Sequence, residues 1–223
     1  MHRYKMTEDF PDPNLASSEG LLAIGGDLSC DRLLSAYSKG IFPWFSNDQP
    51  ILWWSPDPRS ILYPENLHIS KSLHKTLRRE TFVTTFDQAF TEVIEHCACG
   101  NNRKQPSGTW ITHDMRAAYC QLHELGYAHS VETWCHGNLV GGLYGVAMGA
   151  AFFGESMFSL RADTSKVALA TLVKRLHKWQ FHFIDCQVQS AHLDRMGATN
   201  ISRTHFLLAL HEALRVPNRS GTW

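Results

Sequence analysis

A chain of 223 residues with 43% hydrophobic content can bury a sizeable core, as one large domain or as a medium domain with a small appendage. Lysine plus arginine and aspartate plus glutamate number 21 each, which excludes a global basic field, so any polyanion must be held by a local patch. The stretch from Met1 to Phe10 has no apolar run of signal-peptide length, and no later segment is apolar enough over the length needed to span a bilayer, so a cytoplasmic protein without membrane association is expected.

Ser29 is positioned to cap a helix carrying Leu33, Leu34 and Tyr37, with Gly40 as its stop. From Gly40 to Arg59 the sequence then places Trp44, Trp53 and Trp54 among Pro43, Pro50, Pro56 and Pro58. Proline lacks a backbone donor and biases the residue before it toward extended conformations, so a stiff, irregular ribbon is predicted. Its rings must be buried by tertiary contacts or offered to a ligand; Trp53 and Trp54 read as a plug, Trp44 as a wall over a pocket. The texture changes after Leu62, which suggests a small N-terminal domain over residues 1–62 and a larger one over 63–223.

Ser70 opens a helix on which Lys71, Lys75, Arg78 and Arg79 fall on neighbouring positions. Phe86, Phe90, Val93, Ile94 and Cys97 have the spacing of a buried helix face. The polar run 100–108 reads as a loop, and Thr112 caps a helix that turns Met115, Tyr119, Leu122 and Leu125 inward and stops at Gly126. Strands follow over His129–Cys135, Leu139–Met148 and Ala151–Met157, the second carrying glycines at 141, 142 and 145 that suit a bulge or a close backbone approach. Thr164 or Ser165 begins a helix with Leu169, Leu172, Val173, Leu176 and Trp179 on one face. Phe181–Gln187 is a strand, and Ser202 caps the last helix. The order predicts an α/β (α+β) fold with a mixed sheet flanked by helices.

Six cysteines without a secretory leader read as reduced thiols. Neither Cys97 and Cys99, nor Cys120 with His123, nor Cys135 with His136 makes a zinc signature, and no metal or cofactor is expected. Three polar groups interrupt apolar strands: Glu155, Asp185 and Gln187. Residues two apart on a strand share a face, so Asp185 and Gln187 point one way and Cys186 the other, and a buried Asp185 can draw a hydrogen bond from the neighbouring carboxamide. The alternative is a solvent-facing strand end. Gly-x-Ser-x-Gly, Walker and Gly-x-Gly-x-x-Gly patterns are all missing, which argues against a covalent hydrolase or a phosphate cradle.

Six blocks in order carry a resemblance: Gly40-Ile-Phe-Pro-Trp-Phe45, Trp53-Trp-Ser-Pro-Asp-Pro-Arg59, Gly108-Thr-Trp-Ile-Thr112, Gly141-Gly-Leu-Tyr-Gly-Val146, Gly154-Glu-Ser-Met-Phe-Ser159 and Asp185-Cys-Gln187. Together, over roughly residues 20 to 210, they resemble the bacterial leucyl/phenylalanyl-tRNA-protein transferases. The resemblance implies a small N-terminal domain joined to a GCN5-related acetyltransferase-like domain. It also implies transfer of leucine or phenylalanine from leucyl-tRNA or phenylalanyl-tRNA to proteins with N-terminal Arg or Lys, marking them for N-degron degradation, by a monomer without cofactor. An aminoacyl ester is already activated, so positioning, proton removal and oxyanion stabilisation suffice without a protein nucleophile.

By that resemblance Gln187 hydrogen-bonds the reacting amine, Asp185 polarises or orients Gln187, and Glu155 contacts the aminoacyl-adenosine end or helps receive the basic acceptor. Leu143, Phe152, Met157 and Ile184 line an apolar pocket, with Trp44 and Trp110 at its mouth, stacking on the terminal adenine. Lys71, Lys75, Arg78 and Arg79 grip the acceptor-stem phosphates. The competing readings are an acyl-CoA-dependent N-acetyltransferase on the same fold, whose pyrophosphate-holding glycine motif is poorly matched from Gln105 to Trp110, and a non-catalytic RNA-binding module.

Overall fold

Three of the five helix starts expected at serine or threonine are closed by the hydroxyl itself. Ser70, Thr112 and Ser202 accept the backbone N–H of Leu73 (3.3 Å), Met115 (3.2 Å) and His205 (3.3 Å), satisfying donors the helix leaves open. Ser29 occupies the cap position, but its hydroxyl makes no capping bond, and its own N–H donates instead to Asp27 at 2.9 Å. The structure, a computed structural model, describes residues 9–79, 81–99, 111–219, 221 and 223.

The chain begins with β1 (Leu21–Ile24), α1 (Cys30–Ser38), β2 (Phe42–Pro43) and β3 (Leu52–Trp54). After β4 (Arg59–Leu62) come α2 (Lys71–Arg78), β5 (Val83–Phe86), α3 (Phe90–Cys99) and α4 (His113–Glu124). The meander β6 (Ala128–Cys135), β7 (Asn138–Met148) and β8 (Ala151–Ser159) leads into α5 (Thr164–Lys178), β9 (Phe183–Gln187), α6 (Ala191–Asp194), β10 (Thr199–Ile201) and α7 (Arg203–Leu214). The proline ribbon is therefore less irregular than expected, since β2 and β3 pair within it and β1 completes a three-stranded antiparallel sheet in the order β1-β3-β2.

The large sheet runs β10-β4-β9-β8-β7-β6-β5 and is antiparallel except between β8 and β9, whose parallel pairing requires the crossover that α5 supplies. Arg59–Leu62, expected to end the N-terminal domain, is a central strand of this sheet, so the change from one sheet to the other falls between Trp54 and Arg59.

Successive strand residues face opposite ways, so Phe152 and Phe153 serve two cores. Phe153 joins Leu33, Tyr37, Tyr119 and Phe206 from helices on one face, and Phe152 joins Leu73, Leu169 and Leu172 from α2 and α5 on the other. Trp53 lies fully buried in the first core, so the small sheet and the large one share it. Among the described residues no cysteine is joined in a disulfide. Among the described residues no helix is long and apolar enough to cross a membrane, and no three His, Cys, Asp or Glu side chains group as they would around a metal ion.

Candidate active site

The β8/β9 pairing lasts for three positions only, Ala151 to Phe153 against Phe183 to Asp185. Beyond it β8 stays with β7, while β9 stays with β4 and ends at Gln187, whose φ of 65° turns the chain away. A cavity of about 390 Å³ is lined by residues from both diverging strands. Its apolar wall is Leu143, Phe152, Met157, Leu169, Leu172 and Ile184, supplied by the sheet and α5. The four pocket residues expected from the sequence are thus brought together, and Leu169 and Leu172, read there only as a helix face, join them.

Glu155 stands at this divergence because of a bulge. Tyr144 pairs with Ser156 and Gly145 with Gly154, leaving Glu155 without a partner on β7. Glycine is required at 145, where a Cβ would lie 2.2 Å from the Phe153 carbonyl oxygen and 2.6 Å from the Phe152 ring. The Glu155 carboxylate accepts three hydrogen bonds: Tyr37 Oη to Oε1 at 2.7 Å, Tyr119 Oη to Oε2 at 2.8 Å, and Gln187 Nε2 to Oε1 at 3.0 Å. The two tyrosine hydroxyls also lie against each other, and with one proton apiece either can donate to the other only by giving up its bond to Glu155. Burial pushes the Glu155 carboxyl up to about 7, against the lowering pull of the bonds from Tyr37 and Tyr119, and the nearby Asp185 charge adds to the rise. Burial first, and the Glu155 charge second, hold Tyr37 and Tyr119 well above the ordinary phenol range, so both remain donors.

Asp185 is fully buried, as the sequence allows, but its partner is not the Gln187 carboxamide. Arg59, itself 1% exposed, clamps it with Nε to Oδ1 at 2.8 Å and Nη2 to Oδ2 at 2.7 Å. Oδ1 also accepts the Gln187 backbone N–H at 2.9 Å. The reason is geometric: Asp185 pairs with Ile61, and Arg59, two residues along β4, shares that face of the sheet, where a guanidinium fork matches a buried carboxylate better than an amide can. The Arg59 guanidinium is sandwiched by the rings of Phe42 and Phe206, 4.8 and 4.4 Å from its Cζ. Asp185 therefore acts on the Gln187 backbone, while the Gln187 side chain is oriented by Glu155. Cys186 also borders the cavity, but burial raises its thiol far above neutrality, which leaves it unreactive.

Trp44 is 44% exposed on the cavity rim, with its ring 5.9 Å from that of Trp54. Trp54 donates its Nε1–H to the Trp44 carbonyl at 2.7 Å and is only half-buried, so it backs the rim rather than plugging the core. Trp53 is the plug, its Nε1–H donated to Gly25 at 2.8 Å. Trp110 lies outside the described residues, as does the run 100–108. Lys71, Lys75, Arg78 and Arg79 lie exposed on and just after α2, away from the cavity wall and without an ion pair among the described residues. Sequence reasoning missed Arg59, Tyr37 and Tyr119; Arg59 closes a quoted motif, and the tyrosines appear there only as inward helix positions.

A family profile described as leucyl/phenylalanyl-tRNA protein transferase matches residues 61–211, and one for that protein's N-terminal domain matches residues 26–57. A leucyl/phenylalanyl-tRNA–protein transferase of Nitratidesulfovibrio vulgaris (strain DP4) is 52% identical over 100% of this chain and 96% of its own. One of Pseudomonas fluorescens is 55% identical over 96% of this chain and 95% of its own. Among solved structures, a GCN5-related N-acetyltransferase from Kribbella flavida aligns with a TM-score of 0.38 and 9% identity, over 76% of this chain and 60% of its own, values at which it carries no argument about the site.

Proposed function

This chain belongs to the leucyl/phenylalanyl-tRNA–protein transferase family, and on that premise we propose that it moves a leucyl or phenylalanyl group from charged tRNA to the α-amine of proteins beginning with Arg or Lys. The product carries a new N-terminal residue that marks it for N-degron degradation, and dependence on charged tRNA assigns the reaction to the cytoplasm. The single observation that carries the reading is an apolar cavity whose wall ends at the Glu155–Gln187 hydrogen bond, so that a side chain seated in it delivers its ester carbonyl to two polar groups.

In this reading the leucyl or phenylalanyl side chain packs against Leu143, Phe152, Met157 and Ile184. The terminal adenosine rests at the rim on Trp44. Gln187 has its Nε2 engaged by Glu155, which leaves Oε1 to accept an N–H of the attacking amine and aim its lone pair at the carbonyl. A carboxamide is too weak a base to take the proton. A carboxylate poised at about 7 lies close to the affinity of an α-amine, ordinarily ~7.7–8.0, so Glu155 is assigned the proton. The new C–N bond forms, the carbonyl carbon releases the ribose 3′ oxygen, and Glu155 returns the proton to that oxygen. Tyr37, Tyr119, Asp185 and Arg59 are positioning residues: the tyrosines fix the carboxylate, and the Arg59–Asp185 pair fixes the Gln187 backbone. Lys71, Lys75, Arg78 and Arg79 are assigned to the tRNA phosphates.

The test is a peptide beginning with Arg, incubated with the protein and phenylalanyl-tRNA or leucyl-tRNA without coenzyme A. The expected product is heavier by one aminoacyl residue, and the N-acetylated peptide is inert. Transfer that appears only with an acyl-CoA, or tRNA binding without transfer, sinks the reading.

A further inference from the structure

α2 packs against α5, with Leu73 and Leu77 of the one and Val173 and Leu176 of the other in the same hydrophobic core. In a chain with equal numbers of acidic and basic residues, these two helices contain Lys71, Lys75, Arg78, Lys166, Lys174, Arg175 and Lys178 and not one carboxylate. The second half of α5 also borders a concavity of about 470 Å³ formed with Phe86, Trp179 and Trp223. Its cations are not all free to wander. Arg175 lies with Cζ 3.4 Å from the Phe86 ring centroid and 5.3 Å from that of Trp179, and Arg219 covers the same Trp179 ring at 4.6 Å. Lys174 and Lys178, one helical turn apart, are exposed beside them, and neither makes an ion pair among the described residues.

A solvated lysine face needs neither a concave floor nor stacked guanidinium groups. Cations near a helix C-terminus offset its dipole, but that role stabilises the fold and requires no partner. We infer that Lys174, Arg175 and Lys178 form a second RNA-contact surface, on the helix packed against α2, which receives backbone phosphates from the helical part of the donor tRNA. The inference rests on the donor proposed above. Ring-pinned Arg175 and the two flanking lysines gather three cations on one surface, the groups that contact backbone phosphates most often. Two patches on adjoining helices let a neutral protein hold a large polyanion, and the contact is additive in the counterions it releases.

The experiment compares the full-length chain with a K174A/K178A variant and with a K71A/K75A/R78A/R79A variant. Affinity for tRNA is measured across a salt series, alongside thermal unfolding and transfer from an aminoacyl-adenosine that lacks the rest of the tRNA. K174A/K178A is expected to bind tRNA about tenfold more weakly, with the slope of log affinity against log salt shallower by about one to two. Its unfolding temperature and its turnover of the truncated donor stay at wild-type values, and K174R/K178R restores binding. Unchanged affinity and slope in K174A/K178A, with loss in the α2 variant, overturn the second surface alone; unchanged affinity in both variants overturns the tRNA assignment of α2 as well. A fall in unfolding temperature without loss of tRNA affinity assigns the lysines to the helix dipole and also overturns the inference.

Discussion

Glu155 shows how a residue acquires chemistry from its neighbours. Three donors hold its carboxylate, yet burial outweighs them and leaves the carboxyl titrating at about 7 rather than at its ordinary 4.5. The sign follows directly: above about 7 the group is ionised and able to take a proton, so the rate at saturating acceptor should rise with pH through that value. Glu155→Gln is expected to lower turnover by about a hundredfold or more and to remove the limb near 7, as read from pH–rate profiles of both proteins. Retention of that limb in the variant would assign the titration elsewhere. The same shift acts on stability. Between about 4.5 and 7 the folded protein keeps a proton that the unfolded chain has lost, so stability falls as pH rises across that window, and the variant should lose this slope in denaturant titrations. Asp185, also buried, is held by the Arg59 fork, which ties it to structure. Their separation of 126 positions explains why the pair was not legible in the sequence, where Gln187 was the only visible partner.

At the scale of elements the site depends on a skip in strand register that leaves Glu155 unpaired beside the cavity, and on the alternation along β4 and β9 that puts Arg59 and Asp185 on one face. Helix caps at Ser70, Thr112 and Ser202 were legible because capping is chemistry within three residues. The bulge was legible only as an excess of glycine in β7, without the position that needs it. Gly145→Ala tests the bulge. The added methyl must displace the Phe153 carbonyl or the Phe152 ring, on one side the ladder and on the other the cavity wall. The variant should lose about 1–3 kcal/mol of stability in thermal or chemical unfolding, the range for overpacking a tight site. It should also lose at least tenfold in transfer, because Glu155 moves with the strand. Wild-type transfer in a destabilised variant would show that the bulge is structural only.

For the molecule as a whole, the N-terminal segment helps build the candidate site rather than being attached to it. Tyr37 reaches Glu155, Phe42 covers Arg59, Trp44 forms the rim, and Trp53 seats them all by filling the shared core against Phe10, ring centroids 4.8 Å apart. Trp53→Ala should therefore cost about 3–5 kcal/mol in denaturant unfolding and depress transfer in parallel, although Trp53 touches no part of the cavity. A variant as stable as wild type would mean that the plug carries little of the packing. Much of this was available before the structure: the helices and long strands from local periodicity and caps, the family resemblance from six ordered blocks, and, as what that resemblance implies, the apolar wall at Leu143, Phe152, Met157 and Ile184. These rest on near neighbours or on whole motifs, which a linear sequence preserves. What only the tertiary structure decided is which groups meet: Arg59 with Asp185, two tyrosines with Glu155, β4 with the large sheet, and α2 with α5. Those contacts join residues far apart in the chain, and nothing in local propensity distinguishes the partner that will be there from one that will not.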